Sequence, residues 1–504
     1  MKTQGSAREY VGAVDLGTSG VRFVVFDHEA KEVAAVYREL PLSYPAPGWV
    51  EQDPELMFRL ALEVAGEAIS KAGIGAEELA AIGITNQRET TIVWERSSGR
   101  PLAPAIVWQD RRTAPSCEKL RKLGQEVMLR EKTGLRADPY FSATKLEWLF
   151  ANVPGLRERA ARGEALFGTV DSWLLWKLGG VHATDPTNAS RTLLFDIHRL
   201  RWDPDLLSLF GVPEECLPCV RPSLSVFGKT KKELFGAEIP LAGVLGDQQA
   251  ALFGQVCFDR GEAKVTWGTG AFLLLNTGDR PVESRHGLLA TVAYTSPDGE
   301  VRYALEGSVF IAGAAIQWLR DGLGIIRSAA ETEALAGSVP STDGVYFVPA
   351  LVGLGAPHWD PYARGAILGI TRGTKRAHLV RAGLEAIAYQ TNDVLRAMEA
   401  DAGLSLSELK VDGGAAANNF LCQFQSDVLG IPVVRPKALE TTALGAAFAA
   451  GLSVGFWEDL SALRGLWCED RRFLPAMSPE ERERLLSGWR RALSRAKGWA
   501  KGVP

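Results

Sequence analysis

The pattern of apolar and polar residues opens with two apolar runs on either side of a tight turn. Val11–Val14 leads into the small-residue turn at residues 15–20, and Val21–Phe26 follows with Arg22 as its one charged residue. Short runs rich in β-branched and aromatic residues, bounded by glycine, are typical of β-strands. The opening therefore predicts a strand–turn–strand hairpin with no helix directly after the turn.

The same pattern returns in the second half of the chain. Ala263–Thr266 leads into the turn Trp267–Gly270, and the apolar run Ala271–Leu275 follows. The two openings share little sequence, but each has the same order of strand, small-residue turn and strand. Because they stand far apart in one chain, we expect two lobes of similar topology.

Two further apolar runs end in clusters of polar residues. Ala80–Thr85 predicts a buried strand that stops at Asn86–Thr90, and Ile239–Val244 predicts another that stops at Gly246–Gln249. A helix is expected to begin after the second cluster, at Ala250.

Helical periodicity and start signals mark three longer segments. Pro54–Ala72 predicts a helix with Asp53 as its N-cap and proline in the first position. Apolar residues between 384 and 398 recur at helical spacing and predict a core-facing helix. The sequence Ser478–Glu481 predicts the start of a last helix.

Length, composition and charge exclude several classes of protein. The 504 residues suggest two to four domains at roughly 150 residues each. The net charge of -4 and the 23% of charged residues indicate neither a basic nucleic-acid-binding protein nor an acidic disordered one. No apolar run is long enough for a membrane span, and six cysteines make no disulfide scaffold. We therefore expect a soluble, cytoplasmic protein that neither binds nucleic acid nor inserts into a membrane.

The first turn has a composition that suits phosphate. Residues 17–20 combine two glycines, which let a ligand approach the backbone, with a threonine and a serine hydroxyl, and Arg22 adds a positive charge. Similar small-residue turns stand at 268–270 and 412–414. Three such turns suit a nucleotide held between two lobes. A hairpin that requires glycine for a positive φ would show the same residues, so this alternative stays open.

Charged residues at the ends of buried strands mark a second candidate site. Arg88 and Glu89 follow one strand, and Asp247 and Gln248 follow the other. Charges rarely stand at such positions without a partner or a ligand. Asp247 could accept the proton of a hydroxyl, and phosphoryl transfer requires little more than positioning, a metal ion and one such acceptor. The alternative is that these side chains form structural ion pairs with one another.

Long stretches of the chain resemble the FGGY family of carbohydrate kinases, and within it the glycerol kinases. The resemblance runs from about Tyr10 to about Trp457. Its matching stretches are ITNQRETTIVWERSSGRPLAPAIVWQDRRT, ATDPTNASRTLLFDIH, GDQQAALFGQ, FIAGAAIQWLRD, GLGAPHWDPYARGAILGITRG and VDGGAAANNFLCQFQSD. The family implies an α/β fold of two ribonuclease-H-like lobes, related to actin, Hsp70 and hexokinase, with ATP and Mg²⁺ in the cleft between them.

The resemblance also implies a reaction and a division of the chain. ATP and glycerol would give sn-glycerol 3-phosphate and ADP, a step of glycerol catabolism. Residues 1–256 would form the N-terminal lobe with the polyol pocket and the phosphate turn. Residues 257–504 would form the C-terminal lobe with the adenine and ribose side and a last helix. Members of the family form dimers and tetramers, so a homodimer or homotetramer is expected.

The motifs of the family assign roles to individual residues. The polyol pocket would consist of Arg88, Glu89, Trp108, Tyr140, Asp247, Gln248 and Phe272. The nucleotide would contact Thr18, Ser19, Gly20, Arg22, Thr269, Gly313, Gln317, Gly414 and Asn418. Asp247 would be the catalytic base, and Asp15 and Asp247 would be the carboxylates on the metal side.

Three positions depart from the pattern of glycerol kinases. The turn Leu16–Arg22 is closer to that of xylulokinases and offers fewer hydroxyls to phosphate, and Trp267 replaces the usual tyrosine beside the pocket. Glu238 replaces an arginine of the bacterial enzymes that fructose 1,6-bisphosphate inhibits, so we expect no such inhibition. Two alternatives remain: a kinase for another polyol or ketose, such as erythritol, threitol or xylulose, and an actin- or Hsp70-like ATPase that acts as a binding protein.

Overall fold

The fold is built on two mixed β-sheets, in a computed structural model that describes residues 8–502. The strands of the first half are β1 (Tyr10–Leu16), β2 (Gly20–Phe26), β3 (Glu32–Glu39), β4 (Glu51–Gln52), β5 (Leu79–Asn86), β6 (Ile92–Glu95), β7 (Ala105–Ile106), β8 (Ala165–Gly168), β9 (Ala183–Thr184), β10 (Phe195–Asp196), β11 (Arg201–Trp202), β12 (Cys219–Val220), β13 (Val226–Lys229) and β14 (Pro240–Gly246). Its helices are α1 (Pro54–Ala72), α2 (Ala114–Lys122), α3 (Glu126–Thr133), α4 (Ser142–Asn152), α5 (Leu156–Ala161), α6 (Val170–Gly179), α7 (Pro186–Ala189), α8 (Pro204–Phe210), α9 (Lys232–Phe235) and α10 (Asp247–Gly254).

The second half continues with the second large sheet and longer helices. Its strands are β15 (Ala263–Trp267), β16 (Ala271–Gly278), β17 (Leu289–Thr295), β18 (Val301–Val309), β19 (Tyr346–Val348), β20 (Ala366–Leu368), β21 (Leu409–Asp412), β22 (Val433–Pro436) and β23 (Glu469–Phe473). Its helices are α11 (Gly313–Asp321), α12 (Glu331–Gly337), α13 (Arg376–Ala402), α14 (Asn419–Leu429), α15 (Thr441–Val454), α16 (Leu460–Leu466) and α17 (Pro479–Ala496). Within residues 8–502, no helix is long and apolar enough to cross a membrane.

The two large sheets repeat one topology. The first sheet has the strand order β13–β14–β5–β1–β2–β3, and the second has the order β17–β18–β16–β15–β21–β22–β23. In each sheet an antiparallel hairpin opens the lobe, β1–β2 in one and β15–β16 in the other, and its first strand pairs in parallel with a later strand, β5 or β21. The predicted two-lobed α/β architecture is therefore confirmed.

The predicted helices form, with one shift at the site. Asp53 caps α1 by accepting a hydrogen bond from the Glu55 N–H at 2.9 Å. Helix α10 begins at Asp247, so the prediction that it begins at Ala250 is wrong. An acidic residue is favourable in the first turn of a helix, where the free N–H groups carry partial positive charge. The polar cluster after β14 is therefore helix, and the carboxylate of Asp247 lies at its start.

Helices α10 and α15 join the two lobes. Helix α15 follows strands of the second sheet yet packs against β1, β5 and β14, while α10 contacts β15 and β16. A Cβ atom on Gly254 or Gly445 would overlap the backbone of the partner helix, so the close crossing requires glycine at both positions. An apolar core around these two helices thus lies between the sheets.

Candidate active site

The polar ends of β5 and β14 meet at one edge of the first sheet. The two strands run parallel with Gly246 opposite Asn86, so the residues that follow them emerge on the same side. The Nε atom of Arg88 lies 3.1 Å from Oδ1 of Asp247. The predicted cluster of charges forms, and an ion pair lies within it.

Arg88 is also bound to the second lobe. Its Nη1 and Nη2 atoms donate to the two carboxylate oxygens of Glu306 at 2.6 and 2.8 Å, and Nη1 donates to Oε1 of Gln249 at 3.1 Å. These three side chains are buried. Glu306 lies on β18, so this bidentate pair connects the lobes at the site. Sequence reasoning missed Glu306, although a lone carboxylate within the apolar run 303–309 was a signal.

Arg191, which follows α7, completes a buried charge network that sequence reasoning also missed. Its Nε donates to Oε1 of Glu89 at 2.7 Å, and its Nη2 donates to Oε1 of Glu306 at 3.1 Å. Burial alone would raise the pKa of Glu306, but the guanidinium groups of Arg191 and Arg88 lower it to about 2. Two arginines are therefore flanked by three carboxylates, those of Glu89, Glu306 and Asp247.

Glu89 stands in a left-handed backbone conformation with φ of 63°, which residues other than glycine rarely adopt. Its carbonyl oxygen accepts a hydrogen bond from Ser142 Oγ at 3.0 Å. Burial raises the pKa of its carboxyl, and the charges of Arg88 and Arg191 oppose that rise. The surrounding contacts hold this strained backbone and so fix the direction of the carboxylate.

Asp247 is the most exposed carboxylate of the cluster, since the side chains of Glu89 and Glu306 are 2% and 0% exposed. Its side chain is 27% exposed, whereas that of Arg88 is 2% exposed. Burial raises the pKa of Asp247, while the charge of Arg88 lowers it. The next residue, Gln248, is bound through Oε1 to Lys264 Nζ at 2.6 Å.

The three predicted aromatic residues of the polyol pocket stand together. The ring of Trp108 lies 5.5 Å from that of Tyr140 and 6.2 Å from that of Phe272, edge-on in both cases. Its Nε1 donates to Oγ1 of Thr18 at 2.7 Å. Because Thr18 belongs to the first turn and Phe272 to the second lobe, Trp108 connects the predicted polyol side with the predicted phosphate side.

The first turn is a tight hairpin loop with accessible hydroxyl-bearing residues. The N–H of Gly17 donates to the carbonyl of Gly20 at 2.9 Å, while Thr18 is partly exposed and Ser19 exposed. A Cβ atom on Gly20 would overlap the ring of Tyr37. The exposed ring of Tyr37 would therefore have to move to admit a side chain at position 20.

The second turn repeats this loop and meets the start of α11. The N–H of Gly268 donates to the carbonyl of Gly270 at 2.9 Å, and the N–H of Gly313 donates to the carbonyl of Gly268 at 3.0 Å. A Cβ atom on Gly313 would lie 2.6 Å from that carbonyl oxygen. Thr269 and, one helical turn into α11, Gln317 are exposed. The structure thus brings three of the predicted nucleotide residues to one region.

The third turn lies against the second. Gly413 has a φ of 83°, and a Cβ atom there would lie 2.7 Å from the backbone of Trp267. Gly414 is exposed. Asn418 caps α14, since its Oδ1 accepts from the Leu421 N–H at 3.0 Å, and its Nδ2 donates to a threonine hydroxyl of α12 at 3.1 Å. The side chain of Asn418 is therefore already engaged within the protein.

Trp267, one of the departures from the glycerol kinase pattern, is a core residue. Its side chain has no exposed surface, and its Nε1 donates to Oγ1 of Thr391 on α13 at 3.2 Å. It belongs to the apolar core of the second lobe. The indole therefore offers no surface to a ligand.

Arg22, which was expected to add positive charge for phosphate, is paired with Glu440. The Nη1 and Oε2 atoms lie 2.5 Å apart, and the side chains are 26% and 58% exposed. Glu440 immediately precedes α15, so the pair connects the first strand hairpin with the second half of the chain. A phosphate group would compete with Glu440 for this arginine.

Asp15 and Asp247 are the two carboxylates predicted on the metal side. Burial and the charge of Asp247 raise the pKa of Asp15 to about 7, against the opposing charge of Arg22. Within residues 8–502, no group of three or more His, Cys, Asp or Glu side chains could hold a metal ion. Mg²⁺ commonly takes one or two carboxylates and completes its shell with water and phosphate oxygens. The carboxylates of Asp15 and Asp247, which repel each other, therefore match the number and type of protein ligands that Mg²⁺ takes.

The comparisons with known proteins cover nearly the whole chain. The FGGY family of carbohydrate kinases, N-terminal domain, matches residues 10–254, and its C-terminal domain matches residues 263–454. Glycerol kinase 2 of Thermotoga maritima is 58% identical over 495 residues, with 98% of this chain and 100% of the relative covered. Glycerol kinase of Caldanaerobacter subterraneus subsp. tengcongensis is also 58% identical over 495 residues, with 98% and 99% covered.

A solved structure extends the similarity to three dimensions. The crystal structure of Plasmodium falciparum glycerol kinase with ADP matches with a TM-score of 0.91 at 36% identity, and the match covers 97% of this chain and 98% of that one. Both family models and the relatives thus span the two lobes and the residues described above. The chain belongs to the FGGY family of carbohydrate kinases.

Proposed function

We propose that this protein transfers the γ-phosphoryl group of ATP to glycerol and releases sn-glycerol 3-phosphate and ADP. One observation carries the proposal: Arg88, Glu89 and Asp247 meet at one site, in a chain 58% identical over 98% of its length to a protein named glycerol kinase. The rigid charge network and the aromatic residues beside it support the same assignment.

A small polyol matches the chemistry of this pocket. Carboxylates accept hydrogen bonds from hydroxyl groups, and a guanidinium or an amide donates them. Glu89 and Asp247 would accept from the substrate, while Arg88 and Gln248 would donate. Trp108, with Tyr140 and Phe272 beside it, would cover the carbon edge of the three-carbon chain.

The chemical step requires one proton acceptor. Asp247 takes the proton of the attacking hydroxyl while that oxygen bonds to the γ-phosphorus. The bond between the γ-phosphorus and the oxygen that bridges to the β-phosphorus breaks, and ADP leaves. Because most of the catalysis in phosphoryl transfer comes from positioning and charge stabilisation, the fixed direction of Asp247 beside Arg88 matters as much as its basicity.

The nucleotide would lie along the three small-residue turns. Thr18, Ser19, Gly20 and Thr269 offer hydroxyls and backbone N–H groups to the phosphates. The base and ribose side would be formed by Gly313, Gln317, Gly414 and Asn418, and Arg22 would contribute charge once released from Glu440. Asp15 and Asp247 would hold Mg²⁺, which would supply positive charge to the phosphate oxygens.

Three further assignments accompany this function. We place the boundary between the N-terminal and C-terminal domains after residue 256, between α10 and β15. We also expect a homodimer or homotetramer that works in the cytoplasm, where ATP is available.

A coupled assay of ADP release tests the proposed function. Mg-ATP is supplied with glycerol, erythritol, D-threitol, D-xylulose or no acceptor. We expect the highest kcat/KM for glycerol and only background turnover without an acceptor. A higher kcat/KM for a longer substrate would assign a different polyol or ketose. ATP turnover at the same rate without any acceptor would instead indicate an ATPase of the actin or Hsp70 kind.

A further inference from the structure

Lys264 is a buried lysine of β15 whose ammonium group is fully used within the protein. Its Nζ donates to Oε1 of Gln248 at 2.6 Å, to Oγ1 of Thr266 at 2.9 Å and to the carbonyl of Phe272 at 3.4 Å. An ammonium group has three donors, so these three acceptors satisfy it. The side chain has no exposed surface, and a substrate cannot touch it.

This ammonium group decides which way the amide of Gln248 points. An ammonium can only donate, so the amide turns its oxygen toward Lys264 and its NH₂ group away. Among the residues that the structure describes, no protein acceptor lies within hydrogen-bond distance of the NH₂ group of Gln248. This group is also not among the fully buried polar atoms without a partner. Gln248 follows Asp247 at the start of α10, so its Nε2 is a free donor beside the reactive carboxylate.

The surroundings of Lys264 keep it charged. Burial lowers the pKa of Lys264 to about 8, and the negative charges of Asp412 and Asp247 oppose that shift. Thr266, one of its acceptors, stands opposite Asp412 in the parallel pair β15–β21. A charged ammonium is what the one-way hydrogen bond to Gln248 requires, because a neutral amine could also accept from the amide NH₂.

We infer that Lys264 is a positioning residue for the polyol, because it holds the amide of Gln248 with Nε2 directed to the substrate hydroxyls. The inference rests on the proposed function, which places Gln248 in the polyol pocket. Without Lys264 the amide can turn over and present its oxygen instead of its NH₂ group. Recognition of the polyol should then weaken, while the contacts with ATP remain.

Lys410 provides a matched control. It stands opposite Lys264 in the register of β15 and β21 and is also buried. Its Nζ instead donates to the carbonyl of Gln255 at 2.9 Å and lies 4.9 Å from the centre of the Trp467 ring. Lys264→Met and Lys410→Met therefore each remove a buried ammonium from the same sheet, but only the first frees the amide of Gln248.

The expected result is a rise in the KM for glycerol that is not accompanied by a rise in the KM for ATP. Loss of one oriented hydrogen bond should raise the KM for glycerol about tenfold in Lys264→Met, whereas Lys410→Met should change it by less than about twofold. In both variants the KM for ATP should stay within about twofold of the wild-type value. Equal increases of the KM for glycerol in the two variants would overturn the inference, since they would reflect a general loss of buried charge.

A double-mutant cycle tests whether Lys264 acts through Gln248. The KM for glycerol of Gln248→Ala combined with Lys264→Met should equal that of Gln248→Ala alone, because nothing is left to orient. If the KM for glycerol of the double variant instead rises by the product of the two single effects, Lys264 acts on polyol binding by a route other than Gln248. If Lys264→Met does not fold, Gln248→Glu tests the proposed donor instead. Its carboxylate still accepts from Lys264 but has no NH₂ group to donate to the polyol. An unchanged KM in that variant would remove the proposed donor.

The wild-type protein distinguishes this inference from the proposed function. If the wild type turns over another polyol faster than glycerol, the substrate assignment fails. The same KM comparisons then use that polyol and test Lys264 independently.

Discussion

The proposed polyol pocket and the turns proposed to face the nucleotide differ in how their side chains are held before a ligand arrives. In the pocket, Arg88, Glu89, Arg191 and Glu306 are buried and paired with one another across the two lobes. On the nucleotide side, Ser19, Thr269, Gln317 and Gly414 are exposed, and the one arginine is paired with an exposed carboxylate. The pocket is therefore preorganised, whereas the nucleotide side acquires its contacts on binding.

This difference separates two kinds of substitution. A change in the pocket removes a partner from a buried charge and should affect both stability and polyol recognition. A change at an exposed side chain of the turns, such as Ser19 or Thr269, alters only the nucleotide contacts and should leave stability nearly unchanged.

Asp247→Asn should have the largest effect on activity. The amide keeps the shape of the side chain but cannot take the proton, so kcat should fall by about 10²–10⁴. Steady-state turnover with saturating glycerol and Mg-ATP measures the loss, and an unchanged circular dichroism spectrum confirms the fold. Turnover close to that of the wild type would remove Asp247 from the proton transfer.

Glu306→Gln should have the largest effect on stability. The neutral amide removes one of the buried counter-charges of Arg88 and Arg191, and breaking a buried pair of this kind costs about 3–5 kcal/mol. Urea unfolding measures the shift of the midpoint. The matched control is Glu440→Gln, whose exposed pair with Arg22 should contribute at most about 1 kcal/mol. Similar midpoint shifts in the two variants would contradict the difference between the regions.

The Glu306 pairs should also depend on pH in a defined direction. The pKa of Glu306 is about 2 in the folded protein, below its ordinary value of 4.5, so the unfolded chain takes up this proton first as the pH falls. The pairs therefore contribute their full stability above pH 4.5 and lose it as the pH falls through about 2. The difference in Tm between the wild type and Glu306→Gln should narrow on acidification below pH 4.5. A difference that widens there would contradict the ion pairing.

Glu440→Gln should also have a small effect on the nucleotide alone. Removing the competing carboxylate frees Arg22 for phosphate, so the KM for ATP should fall. The fall should be only about twofold, because the exposed Arg22–Glu440 pair is screened by solvent and weak. The KM for glycerol should not change. A rise in the KM for ATP would mean that Glu440 supports nucleotide binding through its contact with Arg22.

Fructose 1,6-bisphosphate should have no effect. Glu238 presents a negative charge where phosphate would require a positive one, and its carboxylate lies 3.5 Å from Nζ of Lys229. Activity is measured with increasing fructose 1,6-bisphosphate at a protein concentration that keeps any oligomer assembled. Inhibition at submillimolar concentration would disprove the expectation.

The sequence predicted those parts of the fold and site that local pattern determines. The hairpins and the buried strands follow from apolar runs, whereas the meeting of Arg88 with Asp247 was implied by the resemblance to the family, and the parallel pairing of their strands accounts for it. The start of α10 was misplaced because polar residues in a first helical turn look like the end of a loop.

For other parts of the site, the local signal did not identify the partner. Glu306 binds Arg88 from 218 residues away along the chain, and Lys264 meets Gln248 from a strand of the other lobe. Each is a single charged residue in an apolar run, and its partner becomes evident only when the two sheets are placed side by side. The role of such residues depends on tertiary contacts, which the spacing of apolar residues along the sequence does not show.

The most direct test of the preorganised pocket is calorimetric titration of glycerol into the nucleotide-free protein. Because the charge network already holds Arg88 and Glu89 in place, glycerol should bind without nucleotide at one site per chain. Glu306→Gln should weaken this binding, whereas Glu440→Gln should leave it unchanged. Binding of glycerol only after a nucleotide is added would show that the pocket forms on nucleotide binding and would contradict the account.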